Sequence, residues 1–260
     1  MSIDINSDVG ESVGDDPAKL DAALLAIVSS ANVACGGHRG DADSMARVCD
    51  LASEGGVAIG AQVSYMDWEG FGRQEVDVDN ETLGNQLLAQ IYALDAAATA
   101  AGSAVTYVKP HGALYHSASI DPERASAVIA AARTFSDDVG RKLAILGLPN
   151  SALELGAEWA ELPYFNEAFA DRGYQANGQL VPRGEPGDVI TDVTESLTRI
   201  KRMLRDGTIM AVDGSLISVK ARSICVHGDT PGAVVIARRL RADIDSDRVR
   251  IAPFAPPPNA

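Results

Sequence analysis

Asn32-Val33-Ala34-Cys35-Gly36-Gly37-His38 is the first of three stretches in which a β-prone run ends at a histidine beside glycine. The other two are Tyr107-Val108-Lys109-Pro110-His111-Gly112 and Ile224-Cys225-Val226-His227-Gly228-Asp229. Short apolar runs of this kind are typical of parallel strands buried on both faces. Parallel α/β folds gather their functional groups at the carboxyl ends of the strands, so the three histidines are predicted to converge on one rim.

Strand-like and helix-like segments alternate along the rest of the chain. The strand-like runs are 3–6, 30–35, 57–61, 104–109, 143–146, one near 164–165, and 223–226. Apolar residues recur at helical spacing between some of them, as in Met45-Val48-Cys49-Ala52, Leu83-Leu87-Ile91-Leu94, Leu197-Ile200-Leu204 and Val234-Ala237-Leu240. This alternation predicts βαβ units around a parallel sheet, in the α/β class.

The chain is predicted to form one domain over residues 1–251. Two long loops, 62–79 and 171–188, interrupt the alternation, and neither has the composition of a linker. Residues 252–260 contain four prolines, and we expect them to form an extended, partly disordered tail.

Composition and charge exclude several classes of function. The 260 residues carry a net charge of −14, which disfavours a nucleic-acid partner. We expect no secretory signal, because the first residues lack a basic region followed by an apolar one, and no apolar stretch is long enough to span a membrane. Three cysteines without a CxxC spacing fit reduced thiols in a cytoplasmic protein. Of these, Cys35 and Cys225 are expected to be small buried strand residues.

Polar residues cluster where the predicted strands end. They are Asn6, Asp8, Glu11, His38, Asp41, Gln62, Lys109, His111, Glu167, Asp171, Arg172, His227 and Asp229. A lysine and a histidine pinned by Pro110 suit recognition of a carboxylate, a phosphate or a developing oxyanion.

Each of the other signals has a structural alternative. The stretch Asn6 to Glu11 fits a turn as well as a functional segment, and His38 taken alone is more typical of a structural histidine. Asp41 and Asp229 fit helix N-caps. Arg73 and Arg172 fit either surface ion pairs or anion clamps.

Three further residues have weaker functional signals. We expect His116 on the surface, while Trp68 and Phe71 fit either a pocket wall or a loop anchor. There is no GxxxxGK[ST], GxGxxG or GxSxG motif, so acid–base and electrostatic chemistry is favoured over a serine or cysteine hydrolase.

Six blocks of the sequence resemble the LamB/YcsF lactam-utilisation family. They are Asn6 to Ser12, Ser30 to Asp41, Gly70-Phe71-Gly72-Arg73, Val108 to Tyr115, Phe169 to Tyr174 and Ile224 to Pro231, and they occur in the family's order. The resemblance implies a seven-stranded (β/α) barrel similar to the glycoside hydrolase/deacetylase superfamily. It also implies work with two partner subunits to open the lactam 5-oxo-L-proline to L-glutamate, coupled to hydrolysis of ATP, with magnesium, to ADP and phosphate.

Candidate roles follow from that reaction. Asp8 or His38 would act as general base, Lys109 and His111 would stabilise negative charge, and His227 would protonate the leaving nitrogen or orient the base. Arg73 or Arg172 would hold the substrate carboxylate. The remaining candidates for substrate binding are Asn6, Glu11, Asp171 and Asp229.

One position departs from the family. Members usually have Gly-Ala-His-Pro after the third strand, whereas this chain has Gly60-Ala61-Gln62-Val63. The related deacetylases suggest a metal held by Asp8, His38 and a third histidine, and Gln62 weakens that site. Two alternatives remain: a metal-dependent deacetylase or hydrolase that acts without ATP, and a non-catalytic substrate-binding subunit.

Overall fold

Seven parallel strands form the centre of the computed structural model, which describes residues 2–11, 15–246 and 249–257. The strands are β1 Ser2–Val9, β2 Ser30–Ala34, β3 Ala58–Val63, β4 Val105–Pro110, β5 Ala144–Gly147, β6 Tyr164–Phe169, β7 Thr208–Met210, β8 Leu216–Ser218, β9 Ser223–Cys225 and β10 Arg250–Ile251. The helices are α1 Pro17–Leu25, α2 Ala42–Glu54, α3 Asn80–Ala100, α4 Gly112–Ile120, α5 Pro122–Val139, α6 Ala152–Trp159, α7 Val193–Asp206 and α8 Ala233–Ser246.

The barrel closes where its first and last strands pair. Its order is β1-β2-β3-β4-β5-β6-β9, and β9 pairs in parallel with both β6 and β1. The short strand β10 extends the edge at Ser2 and Ile3, and β7 and β8 form an antiparallel hairpin outside the barrel. The predicted α/β class and seven-stranded barrel are therefore confirmed.

Short polar side chains fix where several helices begin. Asp41 accepts a hydrogen bond from the Ser44 backbone N–H, and the Ser44 hydroxyl accepts one from the Asp41 N–H, which forms a capping box. The N-cap interpretation of Asp41 is therefore confirmed. Asp229 has a different environment, because its carboxylate pairs with Arg73 and Arg183.

The lumen of the barrel is polar. Alternate residues of β1 point inward, and Asp4 and Asn6 meet Ser223 there while Asn6 also meets Glu167. The outward residues Ile3 and Ile5 pack in the apolar layer beneath the helices. The strands are thus buried on both faces, as expected. The outward face is apolar, whereas the inward face combines these polar side chains with an apolar cluster of Ala58, Tyr107, Ala144 and Leu146.

Tyr107 crosses the lumen and donates a hydrogen bond to Asn32 Oδ1 at 2.7 Å. Gly60 on the neighbouring strand makes room for it, since a Cβ there would lie 2.1 Å from the Tyr107 ring. Below that ring, Phe254 and Ala255 are buried, and the Ala255 carbonyl accepts a hydrogen bond from Thr106 at 2.9 Å.

Residues 252–255 therefore pack under the barrel, which corrects the expectation of an extended, partly disordered tail for this part. Residues 258–260 lie outside the described residues. The three cysteines are buried and unpaired, and no helix in the described ranges is long and apolar enough to cross a membrane.

Candidate active site

A cavity of about 670 Å³ opens at the carboxyl ends of the barrel strands. Eight of the residues predicted for the site line it: Asp8, Glu11, Arg73, Lys109, His111, Arg172, His227 and Asp229. Three others, Asn6, His38 and Asp171, lie behind this layer and contact it. A volume of this size is typical of small-molecule sites.

Lys109 places a buried ammonium group on the cavity floor. Its Nζ lies 2.8 Å from Glu167 Oε1 and 3.4 Å from Asp8 Oδ1, and all three side chains are at most 4% exposed. Burial would lower the pKa of Lys109, but the carboxylates of Asp8 and Glu167 raise it well above its usual value. The group is therefore a fixed positive charge rather than a base.

Asp8 is the carboxylate that this lysine keeps ionised. Burial would raise the pKa of Asp8, but the charges of Lys109, His227 and His111 and a hydrogen bond from Asn32 lower it strongly. Cys225 lies on the other side of the ammonium group, with Sγ 3.2 Å from Nζ. Burial raises the pKa of that thiol well above its usual range, so it stays neutral.

Glu167 and Tyr115 complete the hydrogen-bond network around Lys109. Glu167 lies within β6 and faces the lumen, where it accepts a hydrogen bond from Asn6 at 2.9 Å and one from the Tyr115 hydroxyl at 3.1 Å. The predicted strand ended near residue 165, so Glu167 was expected in the loop after it. Because β6 continues to Phe169, period-two alternation turns Glu167 inward.

Two imidazoles stack beside the carboxylate of Glu11. The His38 and His111 rings are 3.8 Å apart and nearly parallel, at 9°. His38 Nε2 lies 3.1 Å from Glu11 Oε1, and its Nδ1 lies 3.0 Å from Ser64 Oγ. His38 is fully buried, so its ring supports Glu11 from behind and does not reach the cavity.

Gln62 joins Glu11 to the second imidazole. Its Nε2 donates to Glu11 Oε1 and to His111 Nδ1, both at 2.9 Å. With Nδ1 accepting, His111 carries its proton on Nε2, which donates to the Phe71 carbonyl at 3.1 Å. The amide thus fixes the neutral tautomer of His111, while the buried Gln62 Oε1 has no hydrogen-bond partner among the described residues.

Burial shifts the pKa values of His38, His111 and Glu11 and so sets their charge states near pH 7. It lowers the pKa of His38 to about 3 and, together with the neighbouring His38, that of His111 to about 4. Burial also raises the pKa of Glu11 to about 7, although the hydrogen bond from Gln62 acts in the opposite direction. Both rings are therefore neutral near pH 7, and Glu11 titrates there.

The third histidine is held by an aspartate. Asp171 Oδ1 lies 2.9 Å from His227 Nδ1, and Asp171 Oδ2 accepts hydrogen bonds from the His227 backbone N–H and the Thr230 hydroxyl. Burial would lower the pKa of His227, but Asp171 raises it above its usual value. His227 lines the cavity while its Nδ1 is bonded to Asp171, so Asp171 orients His227 rather than lining the site itself.

Arginines line the outer part of the cavity. Arg73 and Arg183 both pair with the single carboxylate of Asp229, which leaves this group with a net positive charge. Arg172 is more constrained, because its guanidinium donates to the Asp188 carbonyl at 2.8 Å and to the Val181 carbonyl at 2.6 Å. Burial lowers the pKa of Arg172 to about 10, so it remains charged at neutral pH.

His116 also belongs to the cavity, which corrects its expected surface position. It is half-buried among the lining residues, and burial with the charges of Arg172 and Arg183 lowers its pKa to about 4. Phe71 lines the cavity and contacts both stacked imidazoles edge-on, whereas Trp68 is half exposed and meets Arg39.

Close backbone contact holds the Phe71 loop in place. The Gly72 carbonyl accepts a hydrogen bond from the Ala113 N–H at 2.8 Å, at the start of α4. A Cβ on Gly112, whose φ is +57°, would lie 2.2 Å from that carbonyl oxygen. Glycine at position 112 therefore permits the loop to lie directly on the helix.

Two groups of possible metal ligands occur among the described residues: Asp8, Cys225 and His227, and Glu11, His38 and His111. In the first group, the Lys109 ammonium contacts both Asp8 and Cys225 and opposes a cation. The predicted metal candidates Asp8 and His38 fall in different groups.

The second group does not suit a metal either. A metal ion binds an imidazole nitrogen in the plane of its ring, and the planes of His38 and His111 are nearly parallel. The Gln62 N–H group also points between Glu11 and His111, where a cation would have to lie. The residues present therefore do not fit a resident metal in this arrangement.

Comparison with known proteins gives one consistent result. The family model described as "LamB/YcsF family" matches residues 3–258. The chain belongs to the LamB/YcsF family.

Relatives of this LamB/YcsF chain carry informative names. The protein named as the A subunit of 5-oxoprolinase in Streptomyces griseus subsp. griseus is 51% identical over 253 residues, covering 97% of this chain and 100% of the relative. The protein of the same name from Paracidovorax citrulli is 49% identical, covering 98% and 100%. A solved structure, a lactam utilization protein from Thermus thermophilus, has 38% identity and a TM-score of 0.89, covering 98% and 100%.

The LamB/YcsF motifs identified most of the charged and histidine side chains that line the cavity. Reasoning from the sequence missed Tyr115, His116 and Arg183 as lining residues, and it did not connect Glu167 or Cys225 with Lys109. A signal was available for Glu167, because continuing the alternation of β6 by two residues points it into the lumen. No local signal marks Arg183, which reaches the site from a long loop.

Proposed function

We propose that this LamB/YcsF chain is the A subunit of a 5-oxoprolinase that opens 5-oxo-L-proline to L-glutamate while ATP is hydrolysed to ADP and phosphate. The names of its relatives support the reaction. The observation that carries the proposal is the fixed Lys109 ammonium at the cavity floor, beside Asp8, His111 and His227. It provides positive charge where an oxyanion would develop.

The lactam is a stable amide, so it needs activation before water attacks. In this proposal ATP, bound with magnesium, would supply a phosphoryl group to the carbonyl oxygen and leave as ADP, which makes the carbonyl carbon more electrophilic. Addition of water and cleavage of the C–N bond would then give an acyl phosphate, and its hydrolysis would release phosphate and L-glutamate. Lys109 and His111 line the cavity and would bind that oxygen, the Nε2–H of His111 exchanging its hydrogen bond to the Phe71 carbonyl for one to the substrate. A preorganised charge in a site shielded from water contributes about 3–4 kcal/mol to such a step.

We assign the general base to Glu11, which changes the expected role of His38. Glu11 lines the cavity, and its pKa of about 7 suits proton transfer near neutral pH. Asp8 has too low a pKa to be an effective base, and His38 does not reach the cavity. His38 and Gln62 would act by holding the Glu11 carboxylate through hydrogen bonds.

His227 would protonate the leaving nitrogen. Asp171 holds Nδ1 and raises the pKa of the ring, so a protonated Nε2 is available toward the cavity. Arg73 and Arg183 would take the substrate carboxylate, since two guanidinium groups share only one protein carboxylate, that of Asp229. Asn6 and Arg172 then support the site, through Glu167 and through the loop carbonyls respectively.

The test is ATP-dependent release of glutamate from 5-oxo-L-proline by the purified chain with its two proposed partner subunits. Lys109→Ala and His111→Ala complexes are expected to lose at least about a hundredfold in turnover, as for loss of one oxyanion donor. Lys142→Ala is the control, since the ammonium group of this lysine is solvent-accessible and donates to the Glu161 carbonyl, away from the cavity.

Full turnover by either variant would refute the assigned roles. Turnover of the lactam without ATP, with a stoichiometric metal found by elemental analysis, would replace the proposal by the metal-dependent alternative. Unchanged turnover in Glu11→Gln and Asp8→Asn together would indicate a subunit that only binds substrate.

A further inference from the structure

The two oxygens of the Asp8 carboxylate have different surroundings. Oδ1 accepts a hydrogen bond from Asn32 Nδ2 at 2.7 Å and lies 3.4 Å from Lys109 Nζ. Oδ2 receives no hydrogen bond from residues 2–11, 15–246 and 249–257, and it is not one of the fully enclosed side-chain atoms that lack a partner. Because Asp8 lines the cavity, Oδ2 is an acceptor that a ligand in the cavity can reach.

A buried network holds Oδ1 and so fixes the orientation of the carboxylate. Asn32 Nδ2 donates to Asn6 Oδ1 as well as to Asp8 Oδ1, both at 2.7 Å, and the Tyr107 hydroxyl donates to Asn32 Oδ1 at 2.7 Å. The Asn32 amide cannot reverse, since its carbonyl oxygen would then face two acceptors. Asn6, Asn32 and Tyr107 are fully buried, so water does not replace these contacts.

The two groups next to Asp8 are those that the proposed reaction assigns to the two ends of the amide bond. Lys109, assigned to the carbonyl oxygen, has its ammonium group 3.4 Å from Oδ1. His227, assigned to the leaving nitrogen, has a ring nitrogen within 4.8 Å of a carboxylate oxygen of Asp8. A donor for the carbonyl oxygen therefore lies beside an acceptor, and the proposed acid lies near that acceptor.

This pair is complementary to one particular form of amide. The ring of a small lactam holds the C=O and N–H groups on the same side, in the cis arrangement. An open-chain secondary amide is almost always trans, and its C=O and N–H groups point in opposite directions. A neighbouring donor and acceptor can bind both groups of the cis amide at once, but only one group of the trans amide.

We propose that Asp8 Oδ2 accepts a hydrogen bond from the lactam N–H while Lys109 binds the carbonyl oxygen, so that this pair selects cyclic cis amides. Asn32 and Tyr107 are positioning residues that hold Asp8 for this contact. The inference rests on the proposed function, which supplies the lactam. It goes further by giving a specificity-determining role to Asp8, which is too weak a base to take the proton of the attacking water.

The alternative is that Asp8 serves only as a counter-ion of Lys109. Glu167 already provides a carboxylate for this ammonium group at 2.8 Å, nearer than Asp8 at 3.4 Å. A counter-ion role also leaves Oδ2 unused, and it predicts that the ring N–H of a ligand has no influence on its affinity.

The experiment compares four ligands by titration calorimetry with the full-length chain, alone and with its proposed partner subunits, in the absence of ATP. They are 5-oxo-L-proline, its N-methyl derivative, the corresponding five-membered lactone with a ring oxygen in place of N–H, and N-acetyl-L-alanine. The last is 5-oxo-L-proline with one ring bond opened, so it carries the same carboxylate and an amide that is free to be trans.

The unmodified chain is expected to prefer the lactam over all three analogues. The N-methyl derivative and the lactone should bind at least about tenfold more weakly, because each leaves the charged acceptor unpaired. N-acetyl-L-alanine should bind about a hundredfold more weakly, because it must become cis to make both contacts.

Asp8→Asn should reverse the preference between lactam and lactone. Asn32 and Lys109 both donate toward Oδ1, so the carbonyl oxygen of the new amide takes that position and its NH₂ group replaces Oδ2. This NH₂ group donates to the ring oxygen of the lactone and opposes the N–H of the lactam. Tyr107→Phe frees the Asn32 amide and should narrow the preference for the lactam severalfold.

Tyr164→Phe is the matched control. It also removes a tyrosine hydroxyl, one that donates to the Leu148 carbonyl at 2.7 Å, and neither residue lines the cavity. The preference of this variant should equal that of the unmodified chain. The ratio of affinities is the deciding quantity, because a loss of stability that weakens every ligand equally leaves this ratio unchanged.

Three results would overturn the inference. Equal affinity of the unmodified chain for the lactam, its N-methyl derivative and the lactone would show that the N–H is not recognised. An Asp8→Asn variant that keeps the original preference would leave Asp8 as a counter-ion only. No measurable binding of 5-oxo-L-proline, with or without the partner subunits, would also refute it. Should Asp8→Asn fail to fold, the ligand series on the unmodified chain and on Tyr107→Phe decides.

The ligand series also separates this inference from the proposed reaction, because it needs no ATP. If the lactam is preferred as expected but no glutamate is released when ATP is added, the reaction fails and the recognition by Asp8 stands. If glutamate is released but the three ring compounds bind equally, the recognition fails and the reaction stands.

Discussion

Replacing Lys109 by methionine should strongly destabilise the barrel, in a way that depends on pH. The ammonium group lies 2.8 Å from Glu167 and 3.4 Å from Asp8, and all three side chains are almost inaccessible. Methionine has a similar length but no charge, so two carboxylates would be left buried without their cation. Breaking a buried ion pair in this way costs about 3–5 kcal/mol.

The loss should be largest at alkaline pH. The pKa of Asp8 is held down mainly by Lys109, so its contribution to stability is present above its ordinary pKa of 3.8 and is lost as pH falls. Without Lys109, the buried carboxylates gain by taking up a proton. The difference in the free energy of unfolding between the variant and the unmodified chain is therefore expected to be smaller at pH 5 than at pH 8.

Urea unfolding followed by circular dichroism at both pH values is the assay. Lys142→Met is the control, and because Lys142 lies at the surface we expect a change within about 0.5 kcal/mol. Adding Glu167→Gln to Lys109→Met should recover part of the loss, since one unpaired charge is removed. A loss below about 1 kcal/mol, or one equal at both pH values, would refute the reasoning.

Three further outcomes are expected. Gly60→Ala should lower the free energy of unfolding by about 3 kcal/mol, because the new Cβ would overlap the Tyr107 ring. A Cβ on Gly84 would meet nothing closer than 3.6 Å, so Gly84→Ala should raise the free energy of unfolding by up to about 1 kcal/mol. Equal effects of the two variants in urea unfolding would contradict this prediction. Burial raises the pKa of Asp4 from 3.8 to about 6, so its contribution to stability is present below pH 3.8 and is lost, by about 3 kcal/mol, as pH rises through 6. Asp4→Asn should abolish this part of the pH dependence. If the unfolding curves of the unmodified chain do not change between pH 4 and 7, the prediction is wrong. Activity of the unmodified complex should rise with the ionisation of Glu11, whose pKa is about 7, and a pH–kcat/KM profile of Glu11→Gln that keeps the same rising limb would remove Glu11 as the base.

The sequence determined the class of fold and most of the charged and histidine side chains that line the cavity. Each β-prone run that ends at histidine became a strand whose carboxyl end faces the cavity, and the alternation with helices allowed only a parallel arrangement. Local patterns suffice here because the period of burial and the chemistry of turns act within a few residues. Asp41 was identified as an N-cap for the same reason.

Only the tertiary structure decided which side chains meet. Closure of β9 on β1 created a polar lumen that brings Glu167 and Cys225 to Lys109, although both lie far from it along the chain. The packing of Phe254 beneath Tyr107 likewise depends on closure, and no local pattern distinguishes it from a loose tail.

The three histidines show the same division between what the sequence determines and what the tertiary structure determines. Their common position at strand ends was evident in the sequence, but their different roles were not. His38 is buried behind Glu11, His111 is stacked on it in a tautomer fixed by Gln62, and His227 faces the cavity on the support of Asp171. Burial and hydrogen-bond partners set the charge of an imidazole, and both arise from contacts between distant parts of the chain.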